Sequence, residues 1–186
     1  MAFSAVVSLL DLATRQKVES HWDYLEENCG LTGIRITPYP HISWQVAEKH
    51  DLIPLKNALA TRARMAHPLS ILTTGLGMFS GPTPVLYLPI VKNPSLMDFH
   101  RQVWEETLPF AHGVNLKYHP DAWIPHITLA YKDIHHDNIG CIMQEYAFKN
   151  FDWHISLDNL ALVAQEGEEV GVLKERYNFN TAGSKR

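Results

Sequence analysis

Pro40-His41-Ile42-Ser43-Trp44 and Pro125-His126-Ile127-Thr128-Leu129 stand 85 residues apart and read alike. Each is a proline, a histidine, an apolar residue, a hydroxyl residue and another apolar residue. Alternate side chains of a β-strand share a face, so His41 pairs with Ser43 and His126 with Thr128 on one side, while Ile42, Trp44, Ile127 and Leu129 face a core. Proline cannot donate to a sheet ladder and suits a strand entry, which puts each histidine near a strand end. If the two strands face one another, two imidazoles and two hydroxyls surround one small volume, an arrangement suited to phosphoryl chemistry.

The tetrad without its proline is a weak signal, expected by chance about 0.2 times in a chain of this composition. A third copy, His154-Ile155-Ser156-Leu157, lacks the proline and runs into the apolar stretch Leu160 to Val163. It reads as a plain core strand with a surface histidine. The proline-led pair is the informative one.

The chain has 186 residues, 46% hydrophobic, with a formal charge of −4. This length suits one domain, residues 1–186, able to bury about 70% of its unfolded surface. The charge argues against a protein that coats long nucleic acid, which needs dense positive charge, but allows a small nucleotide or a single RNA end. Apolar runs are short and no basic leader precedes them, so neither a membrane span nor a signal peptide is expected, and the cytoplasm is the default location. Cys29 and Cys141 form no Cys-x-x-Cys pattern and read as reduced, buried thiols. No His-Glu-x-x-His or Cys/His cluster calls for a metal, and no cofactor motif is present. A monomer is expected.

Element signals alternate along the chain. Phe3 to Leu10 reads as a strand, Asp11 as a helix cap, and Val18, Trp22 and Leu25 as a buried stripe that stops at Gly30. A strand over 34–46 carries the first motif. Leu52, Leu55 and Leu59 mark a second helix ending before His67-Pro68. Strands at 70–74 and 85–90 flank a Gly/Pro-rich turn. Asn93-Pro94 caps a third helix with Leu96, Phe99 and Val103 on its apolar face, and Pro109 closes it. The second motif strand spans 124–131, a short helix 138–146, and 155–164 with 170–179 form a closing hairpin. The class is α+β.

With these residues in view, the chain resembles the 2H phosphoesterase superfamily, which includes 2′-5′ RNA ligase-like proteins and cyclic phosphodiesterases. The likeness rests on the paired motifs and their separation. It extends to Leu76-Gly77-Met78-Phe79 through Val85-Leu86-Tyr87-Leu88, similar to the family's central hairpin, and to Tyr118 through Ile124. It implies two pseudo-symmetric lobes of antiparallel sheet, helices outside, and a central cleft between the motif strands. It also implies His126 as base and His41 as acid in opening a 2′,3′-cyclic phosphate on a nucleotide or RNA end, with Ser43 and Thr128 holding the phosphate. Run in reverse, the same pair joins RNA ends. A nucleotide-binding module without catalysis would use the same cleft.

Histidine suits both roles because its unperturbed pKa near 6.5 keeps both protonation states accessible at neutral pH. Further candidates are Tyr87, an aromatic that could stack on a base, and Lys132, which shares the parity of His126 and Thr128 and could meet a phosphate. Tyr131, on the other parity, reads as core. Trp44 and Trp123 read as packing residues. His135 and His136 are adjacent, do not share a helix face, and read as a solvated pair.

Overall fold

Asp11 opens the first helix as the sequence suggests: its carboxylate accepts from the Thr14 backbone N–H at 3.0 Å and the Thr14 hydroxyl at 2.6 Å. Gly30, at φ 70°, closes the helix in the left-handed conformation that glycine adopts without strain. In this computed structural model, which describes residues 3–181, the helix α1 (Leu12–Cys29) follows strand β1 (Ser4–Leu9). The order continues β2 (His41–His50), α2 (Leu52–Met65), β3 (Leu69–Leu72), β4 (Gly77–Phe79), β5 (Val85–Pro89), α3 (Pro94–Thr107), β6 (Ala111–Val114), β7 (His126–Tyr131), α4 (Ile139–Tyr146), β8 (His154–Leu157), β9 (Asn159–Glu166) and β10 (Glu169–Asn178).

The fold is α+β with antiparallel sheets. One sheet has the order β10-β9-β1-β2-β6; the other has β4-β5-β7, and β3 pairs with β8 beside it through a Thr73–Ile90 bridge. Each motif strand lies in a different sheet. The lobes are not successive halves of the chain, because β9 and β10 return to the first sheet. The helices cross over as well: α1 packs on β7 and α4, whereas α2 packs on β9 and β10, and α3 on β2. One apolar cluster, from Val6 and Trp22 through Trp44, Leu86 and Ile127 to Phe179, joins the helices to both sheets.

Three expectations are corrected. The first motif strand starts at His41, not residue 34, since Gly33–Ile36 forms a 3₁₀ turn and Pro38 and Pro40 cannot donate to a ladder. The stretch 155–164 divides at Asp158: β8 pairs with β3, and only β9 joins β10. Buried Asn159 fixes the break by bonding the Leu9 N–H at 3.0 Å and the Leu9 carbonyl at 2.9 Å. Cys29 and Cys141 are half-buried and joined by a disulfide that ties the end of α1 to α4. Their 112-residue separation hid a pairing that the packing of α1 on α4 creates. Among the described residues, no helix is long and apolar enough to cross a membrane.

Candidate active site

Both motif strands carry the same irregularity at the same place. On β2, Val6 faces Gln45 but Val7 faces Ser43, so Trp44 has no counterpart. On β7, Leu86 faces Ala130 but Tyr87 faces Thr128, so Leu129 has none. A bulge of this kind inserts one residue and turns the strand after it. Trp44 and Gln45 are consequently both buried, as are Leu129 and Ala130. Before each bulge, the histidine and hydroxyl residue share one face. His41, Ser43, His126 and Thr128 all line a single open cleft of about 930 Å³.

The two imidazoles are held alike. His41 Nδ1–H donates to the Tyr39 carbonyl at 2.7 Å, and His126 Nδ1–H donates to the Ile124 carbonyl at 2.6 Å. The acceptor is two residues upstream in both cases, and a carbonyl can only accept, so the tautomer is set and Nε2 is the free nitrogen of each ring. Burial holds both histidines below the ordinary range. The backbone carbonyls oppose that shift, while a positive charge on His126 adds to it at His41. The pair therefore favours at most one proton at a time.

Each hydroxyl residue is also gripped from behind. The Trp123 indole N–H donates to the Ser43 carbonyl at 3.0 Å, and the Trp22 indole N–H donates to the Thr128 carbonyl at 3.2 Å. Trp123 precedes β7 and Trp22 lies on α1, so each indole comes from a different element than the strand it braces. Buried His100 donates through Nε2 to the Trp44 carbonyl at 2.9 Å and lies 3.8 Å, ring to ring, from Trp123. Burial pushes the pKa of His100 down to about 4, which keeps it neutral at physiological pH.

The remaining candidates fall in different places. Tyr87 is buried beneath the site, its ring 4.2 Å from Phe79 in a stack and 5.1 Å from His126. Gly77 admits it, since a Cβ there would lie 2.4 Å from the Tyr87 ring. Phe79, 5.1 Å from His126, is the aromatic on this hairpin that reaches the cleft. The bulge at Leu129 reverses the parity assumed for Tyr131 and Lys132. Tyr131 lines the cleft while still packing against the core, and Lys132 is carried off the cleft. His154 is exposed on β8, paired across from Leu72, and His135 and His136 are exposed beyond β7. None of the three lines the cleft.

Sequence reasoning missed Tyr118, which lines the cleft close to the Ser43 side chain. Burial raises its pKa and the Ser43 contact lowers it, the net direction being upward, so it stays a neutral phenol able to donate. The stretch Tyr118 to Ile124 carries part of the family likeness, but the sequence assigns the tyrosine no role. It also missed Lys117, a cation in the lining. No local pattern marks either residue, because the turn after β6 brings them there.

Residues 17–169 match the family model described as the 2′-5′ RNA ligase superfamily. Curated protein sequences include no match. Among solved structures, TT0787 of Thermus thermophilus aligns with a TM-score of 0.65 at 18% identity, covering 97% of this chain and 99% of that one. The E. coli protein LigT, solved in complex with phosphate, aligns with a TM-score of 0.57 at 14% identity, covering 97% and 100%. At these identities the two structures speak for the fold.

Proposed function

The chain belongs to the 2′-5′ RNA ligase superfamily of 2H phosphoesterases, and from that premise we propose that it is a cyclic phosphodiesterase that opens a 2′,3′-cyclic phosphate on a nucleotide or RNA end. The observation that carries this reading is the duplicated capture of each histidine's Nδ1, which leaves two free Nε2 atoms in one cleft beside two hydroxyls.

In this scheme water attacks phosphorus as His126 Nε2 takes its proton. The bond from phosphorus to the 2′- or 3′-oxygen breaks, and His41, protonated at Nε2, gives its proton to the departing oxygen. The product is a phosphomonoester. The order of roles follows the family resemblance. The Ser43 and Thr128 hydroxyls donate to the non-bridging oxygens, where charge builds in the transition state. Acid and base transfer suffice without a metal, each typically contributing about 10²- to 10⁴-fold in rate. Cytoplasmic residence belongs to the same proposal. The disulfide weighs against that residence, because such bonds persist mainly in oxidising compartments.

The test is product formation from a panel of 2′,3′-cyclic mononucleotides in EDTA, with wild-type protein beside His41→Ala and His126→Ala. Turnover by wild type alone is expected. Unchanged turnover in His126→Ala removes the two-histidine mechanism, and binding without turnover by the intact protein makes the cleft a nucleotide-binding module instead.

A further inference from the structure

Lys132 lines a second, smaller concavity of about 410 Å³ with Phe3, Ile36, Gln165 and Val170. Thr37 and Tyr131 line both this concavity and the main cleft, so the two adjoin across those side chains. Lys132 is the one cation in the lining of the second concavity. Among the described residues it has no ion-pair partner; its ammonium lies 5.4 Å over the Tyr131 ring. Lys174, on β10, is by contrast neutralised by Glu166.

The backbone at Lys132 is unusual. Its φ of 80° makes it the only non-glycine residue with positive φ among those described. A bulky residue in that region carries a strain of about 1–3 kcal/mol, and such residues cluster where function demands them. The wall opposite is firmly built. Asp133 Oδ2 accepts from the backbone N–H groups of Thr32 and Gly33, each at 2.6 Å. Gly33 packs so closely that a Cβ there would lie 2.0 Å from the Tyr131 carbonyl. This holds the turn bearing Ile36 and Thr37 against the end of β7.

We propose that the concavity at Lys132 is a subsite for a backbone phosphate upstream of the scissile one, so that the preferred substrate is a short 5′-extended oligoribonucleotide ending in a 2′,3′-cyclic phosphate. This rests on the function proposed above. Lys132 lies four residues beyond Thr128, at most about 13 Å at ~3.3 Å per residue, and lines the second concavity and not the cleft, which places it for a phosphate other than the reacting one. Tyr131 and Thr37, shared by the two concavities, lie along the path between them.

The experiment compares kcat/KM for a 2′,3′-cyclic mononucleotide with di- and trinucleotides of the same terminal base, using wild type, Lys132→Gly and Lys132→Arg. Glycine accepts the positive φ and removes the charge, so Lys132→Gly should keep its melting temperature. The expected result is a gain of about threefold to tenfold with chain length in wild type and Lys132→Arg, absent in Lys132→Gly and diminished by salt. Mononucleotide turnover should be the same in all three. A wild-type rate that does not rise with length overturns the subsite, and so does a rise that survives in Lys132→Gly. Failure of wild type on every length overturns the phosphodiesterase reading instead. Binding of a 3′-phosphorylated trinucleotide, by fluorescence anisotropy, then judges the subsite alone: weaker binding by Lys132→Gly supports it, and equal binding ends it.

Discussion

The strands β2 and β7 do the same work from unlike positions. β2 is interior to a five-stranded sheet, flanked by β1 and β6, whereas β7 is the last strand of β4-β5-β7. Both enter from a proline, tether Nδ1 to the carbonyl two residues back, bulge three residues after the histidine, and present a hydroxyl-residue carbonyl to an indole. They differ in what surrounds the shared core. Ser43 lies close to the Tyr118 phenol, whereas Thr128 sits beside the aromatic pair Phe79 and Tyr87 that flanks His126. The backbone thus presents the two histidines and the two hydroxyl residues in the same way, and the neighbours distinguish the two sides.

The largest test of that comparison concerns which histidine does what. With a phosphodiester bearing a p-nitrophenyl leaving group, proton delivery is unnecessary. His41→Ala should then recover most of the about 10²- to 10⁴-fold it loses on a cyclic nucleotide, whereas His126→Ala should recover little. The opposite pattern would exchange the assignments.

Next come the hydroxyls. Removing a donor to the developing charge typically costs about 10²- to 10³-fold in kcat, and Thr128→Ala should show a loss of that order. Ser43→Ala should lose less, because the Tyr118 phenol remains to donate, and the double variant Ser43→Ala with Tyr118→Phe should match Thr128→Ala. Equal losses in the two single variants would mean that the sides do not differ.

A pH profile sharpens the shared feature. Both histidines are held below 6.5, so the base is freed and the acid lost at lower pH than for ordinary imidazoles. The kcat/KM profile of the free enzyme should be a bell centred on the acid side of pH 6.5. A plateau extending well above pH 7 would contradict the burial of the pair.

The smallest effect concerns the braces. Trp123→Phe leaves the Ser43 carbonyl without its donor, at a cost of about 1–3 kcal/mol in denaturant unfolding. Trp22→Phe, whose bond is longer at 3.2 Å, should cost less. A larger loss from Trp22→Phe would reverse that order.

Much of this was legible before folding. The proline-led tetrads, the Asp11 and Asn93 caps and the Gly30 stop are local signals, and each appears as read. The strand parity of Tyr131 and Lys132 was misread because alternation holds only for a regular ladder, and one extra residue at Leu129 inverts everything after it. Cys29 and Cys141, Tyr118, and the indoles of Trp22 and Trp123 carry no local mark at all. Their partners lie 75 to 112 residues away.

The sequence by itself determined that two histidines and two hydroxyl residues sit at alternate positions of two strands, because strand alternation and proline placement act over a few residues. Only the tertiary structure decided that β9 and β10 return to the first sheet, that α1 serves the second, and that Lys132 leaves the cleft for a concavity of its own. Those outcomes depend on which apolar faces bury one another across the whole chain, and on bulges whose position is set by the partner strand.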